Sequence, residues 1–368
     1  MNLTVEVPRF DVAADPVIGH HERQPEVRSR FEPTNVSDGI LRTIGQTPMV
    51  RLRRYLDDPS IELFVKLESN NPGGSAKDRP AIAMIEAAMR TGRIDSQTVI
   101  VESSSGNMGI GLAQACRYHN LAFECVVDPN AQTHNIDLMR ALGARIHRVT
   151  QPVDGTYLNA RLKRVAELLN QHTNVFWPNQ YANLENPLSH THGTIAEIDA
   201  VMGGSMDHLF VATSSTGTIG GCKIYLDEHR PDVVIHAIDA HGSVLFGGEA
   251  ASRHIPGLGA GRVPELAAGH HFDNVQRVND LDCVIGCRRA ARREAFLPGG
   301  SGGGVLEAIR RQSDQLAGQT VVAILHDGGD RYLSTIYNDD WVTETLGIEA
   351  MQTLRRNGLA SSTVDTSK

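Results

Sequence analysis

Asn71-Pro72-Gly73-Gly74-Ser75-Ala76-Lys77-Asp78-Arg79-Pro80 is a glycine-rich turn that delivers one lysine to the mouth of a helix. Pro72 and the two glycines stop any preceding strand, and Pro80 suits a first helical turn. Ile82, Ile85 and Met89 then recur at helical spacing until Gly92 closes the segment. The amine is thereby presented on a fixed elbow. A lysine that must meet an aldehyde needs such an elbow, because imine formation demands a neutral, positioned amine. Taken alone, the stretch also accommodates a solvated surface lysine, so the reading depends on what the rest of the chain supplies.

Outward from this turn, between residues 60 and 335, apolar runs rich in Val and Ile alternate with longer segments at helical period. That alternation predicts an α/β fold around a mostly parallel sheet. Strands are expected over 99–102, 123–127, 145–149, 209–213, 233–237 and 320–325. Helices are expected to begin near Asn107, Thr133, Thr156, Ser189, Gly217, Leu281 and Gly302, each after a residue that can cap or turn. Ligands of open α/β sheets bind beyond the carboxyl ends of the strands, which directs attention to the loops after Glu102, Thr213 and Leu325.

Ser103-Ser104-Ser105-Gly106-Asn107-Met108-Gly109 follows the first of these strands and leads directly into a helix. Backbone N–H groups there form a cradle for a carboxylate or phosphate; an ordinary N-cap is the plainer alternative. Ser214-Ser215-Thr216-Gly217-Thr218-Ile219-Gly220-Gly221 repeats the arrangement with more hydroxyls and reads as a phosphate cup. It is not a Walker A sequence, and no glycine-rich segment spells G-x-G-x-x-G. Pro298-Gly299-Gly300-Ser301-Gly302-Gly303-Gly304 places one hydroxyl where backbone can approach a flat ligand, or else forms a flexible loop.

The chain has 368 residues, 40% of them hydrophobic, and a net charge of −8, which fits a two-domain globular protein and argues against nucleic acid as a partner. Cys116, Cys125, Cys222, Cys283 and Cys287 are odd in number and scattered, as in a reduced cytosolic compartment. No apolar run approaches ~18 residues and no signal-peptide pattern opens the chain, so a cytoplasmic protein without a membrane partner is expected. Residues 1–38 read as a flexible extension, and 346–368 as a C-terminal tail whose polar part starts near Leu359. Neither His20-His21 nor His270-His271 lies beside a Cys or carboxylate cluster at ligand spacing, so no metal site is expected.

Ile44-Gly45-Gln46-Thr47-Pro48, the Lys77 turn, Ser103–Asn107, the loop 214–218 and Gly299-Gly300-Ser301 occur in an order and spacing that resemble the pyridoxal-phosphate-dependent cysteine synthase/cystathionine β-synthase family, across residues 40 to 345. The resemblance implies fold type II, two three-layer α/β/α domains with the cofactor in the cleft between them. Residues 75–183 would form the smaller domain and 39–74 plus 184–345 the larger. It further implies that Lys77 forms the Schiff base with pyridoxal 5'-phosphate and carries the substrate Cα proton. Asn107 would hold the cofactor's 3'-oxygen, and Ser214, Ser215, Thr216, Gly217 and Thr218 its phosphate. Ser301 would face the pyridine nitrogen. A neutral hydroxyl there goes, in this family, with β-elimination and replacement rather than transamination. Ser104, Ser105 and Gly106, assisted by Gln180, would grip the substrate carboxylate.

Departures from the cysteine synthase pattern cluster where a substrate side chain lies. Ser214, Ser215 and Thr216 replace three positions of the usual G-T-G-G-T cup, and Arg262 stands where an aromatic residue is common. With Asn179-Gln180-Tyr181-Ala182-Asn183 and His190-Thr191-His192-Gly193, these features resemble the N-(2-amino-2-carboxyethyl)-L-glutamate synthases, which serve 2,3-diaminopropionate supply to siderophores and peptide antibiotics. The implied substrates are O-phospho-L-serine and L-glutamate, and the implied assembly is a homodimer. Arg161, Tyr181 and Ser215 are placed in the acceptor or leaving-group pocket, with Arg262 extending it; the alternative for Arg161 is a solvated helix arginine beside Arg164. Arg331 is expected in a structural ion pair. The rival activities are an O-phosphoserine or O-acetylserine sulfhydrylase making cysteine, and a serine or threonine dehydratase. A silent scaffold and a redox or haem sensor at Cys283 and Cys287 are the readings from other classes.

Overall fold

The computed structural model describes residues 36–269, 271–272 and 274–361. Residues 1–35 of the expected extension, the pair His20-His21, His270 and the last seven residues of the tail lie outside the described residues. Among the described residues the strands are β1 (Met49–Arg51), β2 (Glu62–Leu67), β3 (Val99–Ser103), β4 (Ala122–Val127), β5 (Arg145–Arg148), β6 (Val175–Phe176), β7 (His208–Ala212), β8 (Val234–Ala240), β9 (Asn274–Val278) and β10 (Thr320–Leu325). They form a six-stranded sheet in the order β1-β2-β10-β7-β8-β9 and a four-stranded sheet in the order β5-β4-β3-β6. Every pairing is parallel except β1 with β2. The α/β expectation is therefore met.

Unbroken apolar runs mark the strands at the sheet centre, where both faces are covered. Leu209, Phe210 and Val211 in β7 and Val321 through Ile324 in β10 are fully buried, and Val322 pairs with both Phe64 and Leu209. Strands β1, β2, β6 and β9 are not among those expected, and two of them break this rule. In β2 the charged Glu62 and Lys66 interrupt the run, and β9 is an edge strand carrying Gln276 and Arg277.

Two further expectations change. The helix placed near Ser189 begins at Glu185 and continues through a π-helical stretch, His190–Ile195. The tail is helical over Ile348–Arg356, and Ala350, Met351 and Leu354 of that helix join the main core together with Leu359. Its amphipathic spacing, a buried residue every three or four positions, accounts for the docking. The helix expected near Gly302 is present, starting at Gly300 and running to Arg311, so the flexible-loop alternative for this stretch falls and its glycines pack on the helix Asp280–Glu294. A Cβ at Gly303 would collide with Cys283 and Cys287, and one at Gly286 with the Gly303 backbone. Small residues here set the helix separation. Cys283 and Cys287 are buried partners in that contact.

The Ile44–Pro48 segment is held by a buried ionic network. Arg79 lies 2.7 Å from Glu68 and 2.7 Å from Glu197, and Lys66 Nζ lies 2.7 Å from Glu197. Thr47 Oγ1 donates to Glu68 at 2.7 Å, and the Thr47 carbonyl accepts from Lys66 at 2.7 Å. Such a network locks the turn before Lys77 to the helices on the other side, at the cost of desolvating four charges. No helix among the described residues is long and apolar enough to cross a membrane.

Candidate active site

The carboxyl ends of β3, β7 and β10 point into one cleft, as the sheet rule anticipates. β3 ends at Ser103, and the loop 104–106 leads into the helix Asn107–Tyr118. β7 ends at Ala212, and 213–216 lead into the helix Gly217–His229. β10 is followed by His326 and Asp327. Opposite them Lys77 stands immediately before the helix Asp78–Arg90, and Ser301 sits in the first turn of Gly300–Arg311. The cavity they enclose is about 370 Å³ and is lined by Lys77, Ser104, Ser105, Gly106, Asn107, Arg161, Gln180, Tyr181, Ser214, Ser215, Thr216, Gly217, Thr218 and Ser301. Every site residue expected from sequence except Arg262 is thus brought together. Arg262 is exposed and lines only an adjoining cavity of about 280 Å³.

Burial depresses the Lys77 amine to about 8, and the Asp327 carboxylate pulls the other way. A neutral amine is thereby within reach near neutral pH, which is what a nucleophilic lysine requires. Its position is fixed by backbone: the Lys77 amide donates to Ser75 Oγ at 3.2 Å, and its carbonyl accepts from Ala81. Asp327 was not singled out from sequence, although the loop after Leu325 was. Burial raises its carboxyl, while Asn107 Nδ2 at 2.8 Å and the Tyr332 hydroxyl at 2.7 Å hold Oδ2; Oδ1 has no partner. His326, also unforeseen, is kept neutral by burial, its imidazole depressed to about 3, and its Nδ1 is unpartnered.

Asn107 is more constrained than its expected task suggests, because its Oδ1 accepts from Arg331 Nη1 while its Nδ2 is spent on Asp327. Arg331 also donates to the Gly73 carbonyl. It is structural as expected, but through hydrogen bonds to an amide and a carbonyl; no ion pair to it is present among the described residues. Ser104 Oγ accepts from Gly109 N at 3.0 Å and so caps the helix. Its proton remains to donate. Ser105 Oγ is buried without a partner. Gln180 is buried against Glu102, which accepts from the Gln180 amide at 3.3 Å and from Trp177 Nε1 at 3.0 Å.

In the 214–218 loop, Thr216 takes φ 62°, a left-handed conformation costly for a β-branched residue. Its hydroxyl donates to the Ser215 carbonyl at 2.7 Å, and Ser215 Oγ is buried with no partner. Gly217 has no Cβ because Asn186 would occupy its place. A hydroxyl aimed at nothing, above the first amides of a thirteen-residue helix, is the donor set a phosphate needs. These residues, with the depressed lysine and the Ser301 hydroxyl, fit pyridoxal 5'-phosphate.

Arg161 is not a solvated helix arginine: Nε lies 3.1 Å from Asp128 Oδ2 as an ion pair, without the alignment of a hydrogen bond, and the side chain is 19% exposed. It lines both cavities, as do Tyr181 and Arg253. Arg253 carried no sequence signal, being a single arginine in an irregular loop.

A family profile described as pyridoxal-phosphate dependent enzyme matches residues 40–327. Over 312 residues the chain is 42% identical to an N-(2-amino-2-carboxyethyl)-L-glutamate synthase of Ralstonia nicotianae, a match covering 83% of this chain and 91% of the other. Among solved structures, a hydrogen sulfide-producing enzyme of Fusobacterium nucleatum is 32% identical with a TM-score of 0.76, covering 81% of this chain and 99% of that one. The O-acetylserine dependent cystathionine beta-synthase of Helicobacter pylori is 30% identical with a TM-score of 0.77, covering 83% and 100%. The fold is that of the fold type II enzymes. Agreement of the cleft chemistry with these likenesses leads to one conclusion: the chain belongs to the pyridoxal-phosphate dependent enzyme family.

Proposed function

We propose that the protein condenses O-phospho-L-serine with L-glutamate, giving N-(2-amino-2-carboxyethyl)-L-glutamate and phosphate. The observation that carries this reading is the second cavity. It adjoins the lysine-bearing one, shares Ser103, Arg161, Tyr181, Ser214 and Arg253 with it, and adds Arg262. Sulfide needs neither that volume nor that charge, whereas an amino dicarboxylate needs both. Of the two carboxylates lining it, Glu102 is tied down by Trp177, Ser103 and Gln180.

Pyridoxal phosphate, when bound, supplies an electron sink for negative charge developing at the substrate Cα. In this reading Lys77 would hold the cofactor, and its Nζ would take the Cα proton. The amides and hydroxyls of Ser214 through Thr218 would hold the cofactor phosphate, Asn107 and Ser301 would border its ring, and Ser105, Gly106 and Gln180 would orient the substrate carboxylate. Ser104 contributes its hydroxyl proton. Arg161, Tyr181 and Ser215 border the leaving phosphate and the incoming amine. The Cβ–O bond breaks with its electron pair going to phosphate, the glutamate nitrogen forms the new bond to Cβ and loses a proton to solvent, and Lys77 returns a proton to Cα. Phosphate leaves without a strong acid.

The same proposal takes residues 75–183 and 39–74 plus 184–345 as the two domains, and takes the enzyme as a cytoplasmic homodimer in 2,3-diaminopropionate supply to a siderophore or peptide antibiotic. The test is a competition: holoenzyme with O-phospho-L-serine and equimolar glutamate and sulfide, products identified by mass. The glutamate adduct is expected. Cysteine as sole product would replace the reading with a sulfhydrylase, and release of ammonia and keto acid without acceptor would replace it with a dehydratase.

A further inference from the structure

Two guanidiniums border both cavities, and they differ in one respect. Arg161 already has a counter-charge, Asp128 at 3.1 Å. Arg253 has none: its one hydrogen bond is from Nη1 to the Leu258 carbonyl at 3.1 Å, and no ion pair to it is present among the described residues. Asp239 and Asp280 act on it only at longer range, and partial burial makes its charge costly. A half-buried cation facing a cavity without a carboxylate partner is a site waiting for an anion.

The surrounding backbone is shaped around this side chain. Gly259 takes φ +73°, and a Cβ there would collide with Arg253 Nη1. At Gly261 a Cβ would come within 3.7 Å of Nη2. Both glycines line the second cavity, so the room they leave is the room the guanidinium occupies. Lys77 borders the first cavity and not the second. An anion held by Arg253 from the second side is therefore carried by the acceptor and not by the carbon that reacts.

Resting on the glutamate-condensing reading above, we propose that Arg253 is the specificity-determining residue for the acceptor, pairing with the distal carboxylate of L-glutamate while the acceptor's amine faces the lysine-bearing cavity. A charge-assisted hydrogen bond of this kind corresponds to about ten- to a hundredfold in binding.

The test compares wild type, Arg253→Gln and Arg253→Lys holoenzymes with L-glutamate and with L-glutamine, its neutral isostere, at saturating O-phospho-L-serine. Arg253→Gln is expected to lower kcat/KM for glutamate by ten- to a hundredfold, leave glutamine within twofold, and leave the KM for O-phospho-L-serine unchanged. Arg253→Lys, which keeps the charge on a differently shaped head, should retain part of the preference. Glutamate quenching of Trp177, which lines the second cavity, gives a binding readout independent of turnover. Equal losses with both acceptors would overturn the proposal in favour of a structural role. A raised KM for O-phospho-L-serine with an unchanged glutamate-to-glutamine ratio would overturn it in favour of a donor phosphate site. Should Arg253→Gln fail to fold, the ratio in Arg253→Lys decides alone, an unchanged ratio overturning the idea. Wild type that forms no glutamate adduct sinks the functional reading itself, an outcome visible without any variant.

Discussion

Selective capture of an aldehyde by Lys77 follows from the depression of its amine to about 8. At pH 7 about a tenth of such amines are neutral, against about one in 2,500 for a lysine at its usual value near 10.4, a ratio of about two hundred. A less basic amine is a weaker nucleophile, which takes back about an order of magnitude, so about tenfold selectivity or more remains. The other lysines, Lys66, Lys163, Lys223 and Lys368, are the internal controls; Lys66 is additionally spent on Glu197 and the Thr47 carbonyl. Cofactor-free protein is treated with limiting pyridoxal at pH 7, reduced with borohydride and mapped by peptide mass. Label should concentrate at Lys77, and its initial rate should level off above pH 8. Label spread evenly over Lys163 and Lys223, or a Lys77 rate still climbing tenfold per pH unit towards 10, would refute the claim that burial has tuned this amine.

Glu197→Gln removes the carboxylate shared by Arg79 and Lys66 and should cost about 3 kcal/mol in urea unfolding, since both cations lose a buried partner. Folding depresses the Glu197 carboxyl from 4.5 to about 2; its contribution is therefore complete above pH 4.5 and drains away as pH falls towards 2, so the gap between wild type and variant should close over that window. Thr216→Gly relieves the left-handed strain at φ 62° and should raise the unfolding free energy of the cofactor-free protein by about 1 kcal/mol; a loss would show that the Ser215 hydrogen bond outweighs the strain. Because an attacking amine must be unprotonated, turnover with glutamate should rise from neutral to mildly alkaline pH, and a flat or falling profile in protein that remains folded counts against amine attack.

Local chemistry was legible in the chain by itself. The lysine elbow, the two hydroxyl-rich loops and Ser301 sit at strand-to-helix junctions written by glycine, proline and apolar runs, and parallel strands deliver such junctions to one cleft. The buried central strands β7 and β10 were likewise readable, because burial on both faces leaves a continuous apolar signature. Long-range pairing was not. Strand β2 hides behind a lysine whose charge is matched by Glu197 far along the chain, and the helix expected near Gly302 gave no sign that its glycines make room for the helix bearing Cys283 and Cys287. Arg161 and Arg253 show the same division. A helix periodicity says that an arginine is on a face but not what it meets, and an irregular loop says less still. Only the tertiary structure gave Arg161 its aspartate and left Arg253 without one, since charge compensation is a property of neighbours in space and one sequence lists neighbours only along the chain.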